Sequence, residues 1–591
     1  MKSYNSQLKL GATLVPVILA LSACGGSNNN SNNNGGNSPG ATTNLTGSVF
    51  ASAVSGASCS ASNLAGETIA GPFTTNNDGS YATSIPNANV GDDLVIACSG
   101  GTFTDEATGN AGVTAGPMSA YISGGTLSNS SAVHITPSST IIHNLISQHG
   151  LSLADAVAAY EDAFGHTPNH SVAPTDANSP ADDAEDENKL SGLHAASFSQ
   201  LTHDLGLHNP ARQFDLLVAL AKDLADKNMD GRSNSAPIAI GNTSTNLPAD
   251  IQNRYSNAFV NFRNGGRDNT GLGNNQLGVL PFATTAMTDS YKIEYVPGMR
   301  DAVNAKTEFT LKVTDHSDTA QTGLDLSVKP MMYMTMMGMT HTHSAPYEGC
   351  NENTTPGEYS CTVYYLMPSV ENTGDTTGYW QLKVMPNGHM GEHAYFYPTV
   401  SRVDGAEEQI RLRGQHDKIS SSMNHNNGHD MGNGGDHNHM HHAMSDHGSD
   451  ETEKRTYYLF KRALTSSMQG HTFELFIAAK ENMHSFPAVS TGTTLNDGSM
   501  HHELDITTMS VEVSSDKVSW VTAEEHGHHG HWIASGITGL TGNEEDTIYV
   551  RLIIEGEHKT IDGEVPAGDG TNEYGIFTLT AKSNDMGHHH H

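Results

Sequence analysis

The sequence predicts a mainly β, multidomain chain: several antiparallel β-sandwiches with one intervening small helical bundle. Three observations lead there. Short runs of alternating apolar and polar residues, separated by Gly, Asn and Asp turns, occupy residues 44–135, 289–413 and 454–582, as antiparallel strands do. Between residues 136 and 234 the apolar spacing changes to three and four, which is helical. At 591 residues the chain is also longer than a single hydrophobic core supports.

The elements can be justified in order. Residues 1–23 carry Lys2 and Lys9, an apolar run from Leu10 to Leu21 and small residues before Cys24, which predicts a signal peptide and not a spanning helix. Leu21-Ser22-Ala23-Cys24 resembles the lipobox of bacterial lipoproteins. That resemblance implies a lipid on Cys24. With Gly25 following in place of Asp, it also implies an outer-membrane lipoprotein facing the periplasm or the cell surface. Residues 24–43 are rich in Gly, Ser and Asn and read as a flexible linker.

Residues 44–135 contain LTGSVFASAV, GETIAGPFTT, GSYATSI and DDLVIACSG, with a turn at Asn77-Asp78-Gly79. The pattern resembles carboxypeptidase regulatory-like domains, which implies a small β-sandwich acting as a spacer. Residues 136–234 hold STIIHNLIS, SLADAVAAYEDAFG, GLHAASFSQLTHDLG and ARQFDLLVALAKDLADK, helices expected to end at Gly150, Gly165 and Gly206. DKNMDGRSN lacks the full spacing of a calcium loop and reads as a capped turn. Residues 235–288 are polar and Asn/Gly-rich, a predicted linker.

Six strand candidates in 289–413 predict a second sandwich, and six more in 454–582 a third. TEFTLKV pairs loosely with HTFELFI, and YWQLKVMPNG with IYVRLIIEG, so the two sandwiches read as a divergent tandem. Between them, residues 414–453 are too polar and Gly/Asn-rich for a core and are expected to be a disordered His/Met-rich loop. Residues 583–591 end in a His tail.

Composition excludes some functions. Acids outnumber Lys plus Arg by 64 to 29, the wrong balance for nucleic acid. Of five cysteines, four remain if Cys24 is lipidated. Cys59 with Cys98 and Cys350 with Cys361 are the local pairs among three connectivities, and no C-x-x-C spacing favours zinc instead. Disulfides fit an exported chain. No G-x-S-x-G, H-E-x-x-H, Walker or C-x-x-C-H motif is present, so no enzyme is expected.

What stands out is 34 His, many of them beside Met. SVKPMMYMTMMGMTHTHSAP, residues 327–346, has six Met within residues 331–339 and neither Leu, Ile nor Val from 330 to 349. As a strand it would set Met332, Met334 and Met336 on one face. Thioethers are soft and uncharged and select Cu(I), whereas imidazole serves Cu(II), zinc and nickel. Methionine also binds without losing a proton and survives where thiols would oxidise. The candidate Cu(I) ligands are therefore Met334, Met336, Met337, Met339, His341 and His343, with His389, Met390 and His393 as a second Met/His group. The candidate Cu(II) ligands, which could also take zinc or nickel, are His425, His429, His437, His439, His441, His442 and His447 in the loop. Others are His501 and His502, then His526, His528, His529 and His531.

LSVKPMMYMTMMGMTHTHSAP followed by GEYSCTVYYLMPSVENTGDTTGYWQLKV resembles the YtkA-like or FixH-like β-sandwich domain over residues 290–402. The resemblance implies an extracytoplasmic domain linked to copper handling, with Met336, Met337, Met339, His341 and His343 in its Met-Gly-His segment. The chain departs from it by inserting Thr340 and by the Cys350 to Cys361 loop. The expectation is a lipid-anchored protein that sequesters, buffers or transfers copper, its partners being the membrane and a metal-transfer protein. The alternative is a surface adhesion or interaction scaffold with incidental weak zinc or nickel binding.

Overall fold

The computed structural model describes residues 41–127, 130–388, 391–403, 408–421, 452–467, 470–499, 501–526, 530–541, 546–579 and 582–583. One sandwich, a run of helices and two further sandwiches follow one another along the chain. The first sandwich consists of β1 (Thr42–Ser48), β2 (Ser58–Asn63), β3 (Thr68–Thr74), β4 (Ser80–Pro86), β5 (Leu94–Ser99), β6 (Met118–Ile122) and β7 (Ser130–Ala132). Its sheets run β4-β1-β7 and β3-β2-β5-β6. Cys59 and Cys98 face each other across β2 and β5 and are disulfide-bonded.

Helix α1 (Pro137–His149) starts from a capping box between Thr136 and Ser139, with Pro137 in the first turn where its missing N–H costs nothing. It stops at Gly150, whose φ of 72° lets the chain leave the helix without a Cβ clash. Helix α2 (Leu153–Phe164) is capped by Ser152 and ends at Gly165; α3 (Asp186–Asp204) and α4 (Gln213–Asp223) follow. These helices do not form a separate core. Leu45 and Ile96 of the first sandwich share one buried cluster with Ile141, Leu145, Leu217 and Tyr255.

The predicted linker 235–288 is corrected by α5 (Ile251–Asn264). Its Asn and Arg residues hid an apolar stripe of Ile251, Tyr255, Ala258, Phe259 and Phe262, all buried. Phe259 and Phe262 pack with Leu193 and Ala196 of α3 on one side and with Tyr379 and Tyr397 of the second sandwich on the other. The segment therefore joins two bodies by contact.

The second sandwich contains β8 (Thr285–Met287), β9 (Lys292–Pro297), β10 (Lys306–Thr314), β11 (Ser327–Met336), β12 (Met339–Ser344), β13 (Tyr347–Glu352), β14 (Glu358–Tyr364), β15 (Gly378–Met385) and β16 (Ala394–Phe396). Its sheets are ordered β8-β9-β10-β14-β13 and β12-β11-β15-β16. A disulfide ties Cys350 of β13 to Cys361 of β14.

The third contains β17 (Gln409–Ser420), β18 (Thr452–Ser467), β19 (Gly470–Lys480), β20 (Met509–Ser514), β21 (Val521–Thr522), β22 (Glu524–Glu525), β23 (His531–Ile537), β24 (Asp546–Ile554), β25 (Glu557–Lys559) and β26 (Gly575–Leu579). Its sheets run β17-β18-β19-β23-β22, where Lys582–Ser583 also pairs with β18, and β21-β20-β24-β25, where β26 joins β24. The two sandwiches thus repeat one strand order. TEFTLKV and HTFELFI occupy the third place of the larger sheet, and YWQLKVM and IYVRLII the third place of the smaller.

Two boundaries move. Residues 409–413, placed by the sequence in the second sandwich, and 414–420, placed in the His/Met-rich loop, form β17 of the third sandwich and pair with β18 up to Ser420↔Thr452; Thr452 and Glu453 of that loop belong to β18. The stretch looks polar because Asp417 is buried to receive Arg455, Tyr457 and Lys559, a paired set of charges that a strand interior tolerates. Residues 422–451, the rest of that loop, lie outside the described residues.

Candidate metal centre

Strands β11 and β12 form a hairpin joined by Met337 and Gly338, with φ of 52° and 75°. Two positive φ values in a two-residue loop match the right-handed twist of the flanking strands. The register then follows: Met336 lies opposite Met339, Met334 opposite His341, and Met332 opposite His343. Directly opposed residues share a face at about 5 Å between Cβ atoms. One face of the hairpin is therefore a double row of thioether and imidazole donors.

That face runs from solvent into the core. Met336 and Met339 are 52% and 55% exposed, Met334 is 9% exposed, and Met332 is fully buried. His341 is half-buried and His343 is buried. Met337 stands apart, 96% exposed on the turn and outside the paired rows. Met332 and Met334 contribute to the hydrophobic core of the second sandwich, so they fill space as well as offering sulfur.

At the inner end, two further residues converge that the sequence reading did not include. Met367 follows β14 and brings Sδ to 3.2 Å from Nε2 of His343. Trp380 of β15, opposite Met332, donates from Nε1 to the Met367 carbonyl at 3.1 Å and meets the His343 ring edge to face at 5.3 Å. Met367 is held by its backbone while its sulfur faces the imidazole.

His343 Nδ1 lies 2.8 Å from the Ser344 carbonyl, an acceptor only. Burial is the largest influence on this imidazole and pushes its pKa down, with His484, Lys480 and Arg411 adding to it against the opposing Ser344 contact. In the neutral ring, a proton on Nδ1 satisfies Ser344 and leaves the Nε2 lone pair facing the lone pairs of Sδ. With the proton on Nε2, that N–H donates to Sδ and the lone pair on Nδ1 faces the carbonyl instead. In each tautomer one of the two contacts has lone pairs on both sides and no hydrogen between them.

The hairpin is clamped from outside. Ser344 N–H donates to the Met483 carbonyl at 2.7 Å, and Thr342 Oγ1 is 2.9 Å from His484 Nε2, so the third sandwich covers strand β12. On the opposite face Tyr333 stacks on Tyr379 at 5.1 Å, and Thr335 Oγ1 accepts from Asn274 N–H.

The other predicted ligands lie elsewhere. His393 is exposed beside Tyr395, past the end of β15 where Met385 pairs with Ser327, the far end of β11 from the Met turn. His389 and Met390 lie outside the described residues, as do His425, His429, His437, His439, His441, His442, His447, His528 and His529. His502 binds Asp497 at 2.9 Å and His531 binds Glu348 at 2.9 Å, while His501 and His526 are exposed. Among the described residues, no group of three or more His, Cys, Asp or Glu side chains is arranged to hold a metal ion. Cys24 also lies outside them, and no helix among them is long and apolar enough to cross a membrane.

No protein-family model matches the sequence, and no curated protein matches it. Among solved structures, the adhesin InvE of Yersinia pseudotuberculosis is similar at 9% identity over 49% of this chain, with a TM-score of 0.14; the match spans 58% of that adhesin's length. A tetra-tandem repeat from the extending region of a large adhesion protein is similar at 9% identity over 92% of this chain and 100% of its own, with a TM-score of 0.11. S. aureus TarS matches at 9% identity over 64% of this chain and 63% of its own, with a TM-score of 0.14.

Proposed function

We propose that this chain is a lipid-anchored extracytoplasmic protein that holds copper, as Cu(I), on the donor face of the β11–β12 hairpin, and so sequesters, buffers or transfers it. One observation carries the reading: the Nε2 of His343 and the Sδ of Met367 stand 3.2 Å apart in a partly buried site, and with the ring proton on Nδ1, toward the Ser344 carbonyl, they present lone pairs to each other. A soft cation beside them replaces that repulsion with two bonds, and a thioether with an imidazole is a donor set for Cu(I). Magnesium or calcium would require oxygen donors.

The surroundings agree with an ion that needs no charged ligand. Thioethers and neutral imidazole bring no negative charge, and the buried Trp380 packs edge to face against the His343 ring. The equivalent hairpin of the third sandwich, β20 with β21, contains one Met and no His, so the donors are an addition to the sandwich and not a requirement of it. The leader residues before Cys24 and the two disulfides support an oxidising compartment. The His-rich tract 422–451 supplies imidazoles for Cu(II), zinc or nickel by composition alone.

The test is a competition titration of the mature protein against a chromophoric Cu(I) chelator. Met367→Leu keeps the side chain's volume and removes the sulfur, and should weaken Cu(I) binding about tenfold or more, roughly 1.4 kcal/mol. Undiminished affinity in Met367→Leu and in His343→Phe would leave the scaffold alternative.

A further inference from the structure

We propose that the donor face is a directed path: Cu(I) is captured at the exposed end by Met336 and Met339, handed to Met334 and His341, and delivered to His343 and Met367. This rests on the soft-ion reading above and adds a direction and an order to it.

Three observations carry the inference. The register makes three successive donor pairs, not a scatter of methionines. Adjacent pairs are two residues apart along each strand, about 7 Å, a gap that two unbranched thioether side chains can close from either side. Along the hairpin exposure falls in the same order, from half for Met336 and Met339 to 9% for Met334 and 7% for His343, and Met367 meets the inner end partly buried. An ion moving inward therefore exchanges water for protein donors at each step.

The two ends of the path differ in build. At the outer end Met337 occupies the first turn position with φ of 52°, a conformation that Asn or Gly adopts more cheaply, and it is 96% exposed with no packing to account for it. With Met336 and Met339 it makes an apolar but metal-soft tip in water. Beside the middle pair the neighbouring strand offers Gly378, opposite Met334, and so no side chain. Its φ of 153° and the Tyr333 carbonyl, which would stand 2.1 Å from any Cβ at this position, exclude a larger residue there. Beside the inner pair the same strand offers Trp380, which closes the path.

The chemistry balances without a co-reactant. Each hand-over forms one bond from copper to sulfur or nitrogen and breaks another. Copper stays Cu(I), and neither thioether nor neutral imidazole gains or loses a proton.

The experiment follows loading of the full mature protein with Cu(I) from its acetonitrile complex by stopped flow. Arrival at the inner pair is read as quenching of Trp380 emission, with the Trp380→Phe variant subtracting the other two tryptophans. Equilibrium affinity is measured separately with a chromophoric chelator. Replacing Met336, Met337 and Met339 together by Leu should slow the quench about tenfold or more and leave the equilibrium affinity of the inner site within about twofold. Circular dichroism verifies that the exposed substitutions leave the fold intact. Quenching at the wild-type rate in the triple variant would overturn the path while leaving binding intact. A triple variant that loses affinity as far as His343→Phe does would make the tip the binding site and also overturn it. Wild-type protein that binds no Cu(I) would overturn the underlying reading and the path together.

Discussion

His531 of the third sandwich places Nε2 2.9 Å from Oε2 of Glu348 in the second. The same carboxylate accepts from Tyr364 at 2.5 Å and from Arg462. Glu348 lies four residues beyond Ser344, the residue through which Met483 holds the hairpin. The joint between the sandwiches and the support of the donor face are therefore adjacent.

This joint should be sensitive to acid. Burial pushes the Glu348 carboxyl up, but the His531 contact, Arg462 and Tyr364 together outweigh it and hold it at about 2. A depressed carboxyl contributes stability above its unfolded value near 4.5 and loses it as pH falls through about 2. Glu348→Gln should cost about 2–3 kcal/mol at pH 7, because it leaves Arg462 without its anion in a partly buried site. Urea unfolding at pH 7 and at pH 3 measures this: the difference between variant and wild type should shrink at the lower pH. A difference that is the same at both would refute the assignment.

A second pH effect comes from the helical region and has the opposite origin. His166 and His194 stack at 3.4 Å between ring centroids and 14° between planes, and His194 Nδ1 is 2.8 Å from the Tyr255 hydroxyl. Burial pushes both imidazoles down, His166 to about 3. Between pH 6.5 and about 3 the unfolded chain takes up a proton at His166 that the folded chain refuses, so stability falls as pH falls, by about 2 kcal/mol at pH 5. His166→Phe retains an aromatic ring and removes the proton acceptor. It should flatten the stability profile between pH 6.5 and 5, read from chemical denaturation at several pH values. An unchanged slope would show that His166 titrates normally.

How much of this was legible depends on where the information resides. The strand period exposed the three sandwiches, and Gly150 and Gly165 mark helix ends because a left-handed cap needs a residue without Cβ. The face shared by Met332, Met334 and Met336 also follows from period alone. Its pairing with His343, His341 and Met339 needs one more fact, that Met337-Gly338 is a two-residue turn, and Met at a position favouring Asn concealed it. Helix α5 was obscured because Asn253 and Ser256 are buried and hydrogen-bonded, so polar letters stood at core positions. Met367 could not be read at all. It lies 24 residues from His343, in the loop after β14, and only the tertiary fold, with Trp380 of β15 donating to the Met367 carbonyl, brings the two side chains together. The tyrosine and arginine partners of Asp417 likewise come from a neighbouring strand.

The exposure gradient also predicts an order of oxidation. Peroxide converts an accessible thioether to the sulfoxide, and access governs the rate. Met337 at 96% exposure, with Met336 and Met339 near half, should oxidise well before Met334, and fully buried Met332 should oxidise last. Silver(I), a soft ion that undergoes no redox cycling with peroxide, occupies the sulfur lone pair that the oxidant attacks. Adding it before peroxide should protect Met336 and Met339 more than the unpaired Met337, since the two face each other across the hairpin and Met337 has no opposite donor. Peptide mass spectrometry distinguishes the three. Equal protection of all three methionines would mean that the ion coats the turn without using the paired register, and the cross-strand arrangement would then have no part in holding it.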